Sequence, residues 1–286
     1  MGRVGVKAIP MRTVLFTKLF RGVPLDEVGT IIKALEFDGV DLLVRPGHQL
    51  EPDGAGAIPA AVRRLETLSL DVPMITTDLS DPAAYPADRV LGNCAEAGAR
   101  LIRLCYWRYD AARGYTAAFE EARRHLDILE RLARTHGVCL ALQLHGGTIH
   151  SSAALAVRLV EDHDPALIAA YPDPGDQAVQ DGREAWRLTF DLLRPWLRCV
   201  GVKNGGWFPS GIGSTGQRGW HGDRLGIADG MVPWDEIVPY LAETGYGGLL
   251  SFQSHYEVPL PQALDQTRSD LGYVRRLLTG RGAVAS

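Results

Sequence analysis

Apolar residues in this chain come in short β-type runs, each followed by a stretch whose apolar positions recur at helical spacing. TVLFTKLF (13–20) leads into PLDEVGTIIKALE, and GVDLLVRPG (39–47) leads, after a Gly/Pro-rich loop, into IPAAVRRLETLS. DVPMITTD (71–78) precedes DRVLGNCAEAGA, RLIRLCYWRYD (100–110) precedes FEEARRHLDILERLARTHG, and VCLALQLHGG (138–147) precedes SAALAVRLVED. LIAAYPDPGD (167–176) precedes EAWRLTFDLLRP, LRCVGVKNGG (197–206) precedes PWDEIVPYLAETG, and GGLLSFQSH (247–255) precedes ALDQTRSDLGYVRRLL. These are strand–helix pairs at steps of roughly thirty residues, the size of a βα unit. Alternation predicts a parallel sheet covered by helices. Eight such units in 286 residues predict a closed (β/α)8 TIM barrel, one α/β domain over 1–286 with no linker. An open doubly wound sheet is disfavoured, because no G-x-G-x-x-G turn follows the first strand.

One stretch stands apart. NGGWFPSGIGSTGQRGWHGDRLGIADGMVPW (204–234) reads as a long irregular loop after the seventh strand. Loops of that length in compact domains are commonly functional. Its aromatic residues predict a flexible cover over the barrel mouth.

Composition adds little to the fold but narrows the function. The chain is 46% hydrophobic and 22% charged with a formal net charge of −4, so no basic stripe points to a nucleic-acid partner. Clusters such as RRLARTHG suit helix surfaces and C-terminal ends. Cys94, Cys105, Cys139 and Cys199 form no CxxC pair and read as reduced thiols, the usage of a reducing compartment. Arg12, Lys18 and Arg21 interrupt any signal-peptide core, and Val6 stands where a myristoylation motif needs Ser or Thr. No window approaches a membrane span. The expectation is a cytoplasmic protein without a membrane partner.

In a barrel of this type the active site lies at the C-terminal ends of the strands. Polar residues crowd there: Arg45, His48, Thr76, Asp78, Arg108, Gln143, His145, Asp173, Lys203, Asn204, Gln253 and His255. Two strands end alike in Gln-x-His, and residues i and i+2 of a strand share a face. Singly, each has a structural reading. A strand-end His can be a satisfied loop residue, and Arg45 can pair with Asp41 or Asp53. Asp173 in PDPGD can form a turn, and Lys203 can snorkel. Recurrence at the same end of unit after unit makes them a site.

FDGVDLLVRPGHQLEPDG, LALQLHGG, AAYPDPGD, VGVKNGGW and above all LGIADGMVPWDEIVPYLAETGYGGLLSFQSHYE carry a resemblance over nearly the whole chain. They resemble the sugar phosphate isomerase/epimerase group of xylose isomerase-like TIM barrels. The resemblance implies one divalent cation held at the positions of Gln143, Asp173, Gly201 and Gln253, of which only Asp173 keeps a carboxylate. Two arrangements stay open. His145, His255 and Asp173 can form a His₂-carboxylate set for Zn, Mn or Co, with Gln143 and Gln253 beside it. Alternatively the site is metal-free and the amides bind hydroxyls directly.

The activity implied is proton transfer next to the carbonyl of a small polyhydroxylated substrate, a sugar or sugar phosphate. Proton transfer then falls on His145, His255, Asp173 or Glu257, and Lys203 stabilises the enediolate. Arg45 and Arg108 suit an anionic group, and His48, Gln143, Gln253 and Trp207 complete the expected substrate contacts. Trp107 and Trp207 can equally be packing. A barrel that binds a sugar without turning it over is the competing class. Cleavage of damaged DNA would need a fuller ligand set and a basic face. Relatives of this fold often pair through barrel-face loops, which implies a homodimer.

Overall fold

GVDLLV is buried at every position, as a strand covered on both faces must be. The computed structural model describes residues 11–180 and 183–280, so Val6 lies outside the described residues. In chain order the elements are β1 (Arg12–Phe16), α1 (Leu25–Ala34), β2 (Gly39–Val44), α2 (Ile58–Glu66), β3 (Asp71–Thr77), α3 (Ala87–Glu96) and β4 (Leu101–Arg103). Next come α4 (Gly114–His136), β5 (Cys139–Gln143), α5 (Ala153–Val160), β6 (Ile168–Tyr171), α6 (Pro174–Val179), α7 (Trp186–Leu192) and β7 (Cys199–Val202). The chain ends with β8 (Asn204–Ile212), β9 (Arg218–Leu225), α8 (Trp234–Glu243), β10 (Leu249–Phe252) and α9 (Leu260–Leu278).

The barrel is parallel throughout. β1 to β6 pair in sequence, β1 also pairs with β10, and β10 with β7. β6 meets β7 through the Ala170–Leu197 bridge and through Gly201 N–H, which donates to Pro172 O at 2.9 Å. Eight parallel strands thus close the (β/α)8 barrel that the alternation predicts. α1 carries Asp26 and Glu27 in its first turn and Lys33 in its last, matching the helix dipole. α4 ends at Gly137, whose φ of 63° is the left-handed C-terminal cap that suits glycine.

Strand periodicity sorts the barrel interior into layers. At the bottom, Val14, Met74, Leu101, Ala141, Tyr171, Cys199 and Leu249 pack as an apolar cluster of their own, apart from the core between sheet and helices. Two residues further along, several strands turn polar inside the barrel, which the apolar look of the strand bodies does not suggest. Asp41 is wholly buried there and accepts hydrogen bonds from Thr76 Oγ1 (2.7 Å) and Ser251 Oγ (2.8 Å). Burial pushes its carboxyl up to about 6 against the pull of those hydroxyls. Arg103 shares this interior.

Three sequence expectations are corrected. The run 100–110 is strand only over Leu101–Arg103, and Thr17–Phe20 form a 3₁₀ turn instead of extending β1. The stretch 204–234 is not an irregular loop. β8 and β9 pair antiparallel from Asn204↔Leu225 to Ile212↔Arg218. Its glycines suggest a loop, but Trp207, Phe208 and Trp220 are the aromatic residues strands prefer. The base of the hairpin is tied down: Asn204 Nδ2 donates to Ile227 O at 2.8 Å, and Trp207 Nε1 to Ala178 O at 2.7 Å.

Candidate active site

Above the polar layer, one chain of contacts crosses the barrel. Arg103 Nε donates to Gln143 Oε1 at 2.7 Å, and Tyr106 Oη donates to the same oxygen at 2.9 Å. Gln143 Nε2 donates to Asp173 Oδ2 at 2.6 Å. Lys203 Nζ lies 2.9 Å from that same Oδ2 and 2.7 Å from Asp176 Oδ2. Arg224, on β9, pairs with Asp176 Oδ1 and also donates to Gly175 O at 2.8 Å. Local sequence fixes the middle of this chain. Asp173 caps α6 by accepting from Asp176 N–H at 3.0 Å, with Pro174 at the first helical position. That turn holds both carboxylates against Lys203.

Two glycines allow the close approach. A Cβ on Gly201 would lie 2.6 Å from Asp173 Cγ, so Asp173 fills the space a side chain there would need. A Cβ on Gly175 would lie 2.6 Å from the Lys203 carbonyl carbon.

Electrostatics follow from this packing. Burial opposes the Asp176 carboxylate, but Lys203 and Arg224 outweigh it and hold its pKa far below the usual range. Burial and the negative charge of Asp176 push Asp173 up, while Lys203 pulls it back. Burial also works against the Lys203 ammonium, yet the two carboxylates raise its pKa. Lys203 is therefore a fixed cation.

Over this floor opens a cavity of about 520 Å³. Lys203, Asp176 and Arg224 form its inner end, and Gln253, His145 and His255 line its sides. Lys18, Arg45, Asp78 and Arg108 also border it. Arg45 pairs with Asp78 (2.5 Å), and not with Asp41 or Asp53. His145 Nδ1 lies 2.8 Å from Gly146 O, a group that can only accept, so Nδ1 carries the hydrogen and Nε2 keeps its lone pair. Its ring lies tilted against Tyr106, centroids 4.3 Å apart, and Nε2 is 3.9 Å from Asp176 Oδ2. Burial lowers the pKa of His145 and lowers that of His255 much further. His255 Nε2 is buried without a hydrogen-bond partner among the described residues.

The structure brings Lys203, His145, His255, Gln253, Arg45 and Arg108 to one cavity. Others go elsewhere. Gln143 and Asp173 lie beneath the floor, fully engaged, and Asp173 is 0% exposed. His48 lines a separate surface cleft with Gly22 and Pro24. Trp207 projects from the hairpin, and Trp107 is buried with its Nε1 toward His125. Glu257 is exposed on the loop after β10 and is not part of the cavity wall. Sequence reasoning missed Lys18, Arg103, Tyr106, Asp176 and Arg224. Arg103 stands on β4 two residues beyond the inward Leu101, a legible signal, whereas Lys18 lies in the 3₁₀ turn after β1, where that alternation stops. Asp176 was legible as the second acid of PDPGD, whereas Arg224 depends on the register of a hairpin read as a loop.

The donor set does not fit a divalent cation. Such ions need anionic or carbonyl oxygens with free lone pairs. Of the four positions, Gly201 offers no side chain and the Asp173 carboxylate already holds Lys203. The Gln143 carbonyl already accepts twice, and only the Gln253 amide faces the cavity. Asp173 is likewise shut away from His145 and His255, and among the described residues no three His, Cys, Asp or Glu gather as a metal site.

No curated protein sequence is significantly similar to the chain. Solved structures share its fold. 3-Keto-D-glucoside 4-epimerase from E. coli, in its apo form, superposes with a TM-score of 0.69 at 15% identity, covering 93% of this chain and 99% of that one. D-Psicose 3-epimerase from Clostridium cellulolyticum H10, solved with D-tagatose, gives 0.69 at 13%, covering 94% and 99%. A xylose isomerase-like TIM barrel protein from Mycobacterium smegmatis, in complex with magnesium, gives 0.66 at 18%, covering 94% and 97%. The family model of xylose isomerase-like TIM barrels matches residues 30–277. The chain belongs to the xylose isomerase-like TIM barrel family.

Proposed function

We propose that the mouth cavity binds a small polyhydroxylated carbonyl compound bearing a phosphate or carboxylate, and that His145 moves a proton next to the carbonyl. The observation that carries this reading is the His145 tautomer. Its Nδ1 is tied to Gly146 O, so a neutral Nε2 lone pair stands at the cavity wall. A base in that state takes the proton from the carbon while the electron pair moves onto the carbonyl oxygen. The imidazolium so formed lies near Asp176, and Lys203 faces the cavity to stabilise the enediolate oxygen. Return of the proton to the former carbonyl carbon, while the adjacent hydroxyl's proton passes to the enediolate oxygen, isomerises the sugar. Delivery of a solvent-derived proton to the opposite face of the same carbon inverts the centre.

The charge balance supports an anionic substrate. Lys18, Arg45, Arg103, Arg108, Lys203 and Arg224 border the cavity against only Asp78 and Asp176. Those two acids are paired with Arg45, Lys203 and Arg224. Among the described residues neither Lys18 nor Arg108 has an ion-pair partner. Neighbouring cations and burial lower the Lys18 pKa, burial most, which a bound anion would relieve. Two of the structural neighbours named above are sugar epimerases, which supports a sugar as the substrate and is silent on its charge.

Exchange in D₂O tests the reading. Ketose and aldose phosphates and sugar acids are incubated with the protein and followed by proton NMR. Deuterium should enter next to the carbonyl of an anionic sugar, and His145→Gln should slow this about 10²–10⁴-fold with binding kept. Tight binding without exchange would instead make the barrel a binding protein.

A further inference from the structure

The inner end of the cavity contains a cation that belongs to the chain. Lys203 Nζ sits between Asp173 Oδ2 and Asp176 Oδ2, and its backbone carbonyl accepts from Trp234 Nε1 at 2.9 Å. The side chain is only 4% exposed, and what is exposed opens onto the cavity. Its ammonium is thus positioned from both ends. Around it two carboxylates face two cations, Lys203 and Arg224, so the cluster is already neutral. A dication entering it would bring excess positive charge to oxygens that have no spare anionic character.

We propose that the Lys203 ammonium is the permanent cation of this site, standing in place of a divalent ion, so that the protein neither needs nor retains a metal. Its role toward a substrate oxygen rests on the reading of the cavity given above. The claim about ions stands on the buried cluster alone. The inference makes a further demand: removing the ammonium must leave a place where a metal can bind. Without Lys203, Asp173 and Asp176 present two buried carboxylate oxygens toward one emptied space, the donors hard divalent cations favour.

The experiment uses the whole purified chain. Elemental analysis after dialysis, and melting curves with and without millimolar Mg²⁺, Mn²⁺, Co²⁺ or Zn²⁺, should show substoichiometric metal and an unchanged melting temperature for the native protein. Lys203→Met should melt lower, and one or more of these ions should raise its melting temperature by several degrees, since a ligand stabilises the state it binds. Lys203→Arg, which keeps the charge, should give no metal response. Stoichiometric metal in the native protein, or a loss of stability on chelation, would overturn the proposal. So would a folded Lys203→Met protein indifferent to every ion. If that variant fails to fold, the native protein's metal content and melting response still decide. A missing enzymatic activity leaves all these readouts unmoved and would count only against the proposed reaction.

Discussion

The ends of β5 and β10 read almost alike, Ala141-Leu-Gln-Leu-His145 against Ser251-Phe-Gln-Ser-His255, yet the fold uses them differently. On β5 the glutamine is structural. Its oxygen accepts from Arg103 and Tyr106, its nitrogen donates to Asp173, and it has left the cavity wall. On β10 the glutamine lines the cavity, its amide nitrogen donating to the Tyr171 hydroxyl. The histidines diverge too. His145 has one nitrogen fixed by Gly146 O, while His255 keeps a buried nitrogen with no partner among the described residues. One layer down, Ala141 packs in the apolar cluster where Ser251 donates to Asp41. What a residue does here depends on its neighbours across the barrel, and identical pairs of residues acquire different work.

Breaking the two glutamines should expose the contrast most strongly. Gln143→Leu removes the acceptor of the buried Arg103 guanidinium and a donor to buried Asp173. Loss of a hydrogen-bond partner from a buried charged group costs about 1.5–3 kcal/mol, and two such groups are affected here. Gln253→Leu gives up one hydrogen bond to a hydroxyl, a loss of about 1 kcal/mol. Urea midpoints of the two variants measure the gap. Equal losses would mean that Gln143 is not the link between Arg103 and Asp173.

The layer below gives the next largest effect, through Asp41. Its folded pKa of about 6 lies above the ordinary value near 4, so the folded state binds the proton more tightly. A group raised in this way gives stability that is present at low pH and lost as pH rises from about 4 to 6, up to roughly 3 kcal/mol. Asp41→Asn cannot ionise and should escape that loss. The stability difference between variant and native protein should therefore grow from near zero at about pH 4 to its full size by about pH 7. Parallel pH curves for the two proteins would show that the hydroxyls of Thr76 and Ser251 already compensate the charge.

The barrel was legible because its signal is repeated: each apolar run and each helical stretch points to the same topology. The site was legible only in part, for reasons these residues show. Strand-end position places Gln143, Asp173 and Lys203 at one end of the barrel, but which of them face the cavity depends on partners such as Arg103 and Asp176 from other units. Hairpin register brings Arg224 to Asp176, and the glycines of 204–234 concealed that register. Gly201 was readable as a missing ligand. That Asp173 fills its space follows only from the turn that starts α6.

The smallest expected effect separates the two histidines. Burial lowers both pKa values, so each is neutral in the folded protein at neutral pH and gains its proton less readily than in the unfolded chain. The stability they carry is whole above the ordinary histidine value near 6.5 and falls as pH drops below it. His255→Leu removes a buried nitrogen that has no partner, so it should raise stability at neutral pH by about 1 kcal/mol. It should also flatten the decline on acidification, because His255 is the more strongly depressed of the pair. His145→Leu gives up the contact to Gly146 O and the ring contact with Tyr106, so it should lose stability instead. Denaturation curves at about pH 5 and 7 distinguish the two signs. A gain at position 255 paired with weaker ligand binding would mean that the unsatisfied nitrogen is kept for the substrate, as groups strained for function are. A loss at both positions would place His255 among the structural residues, as Gln143 already is.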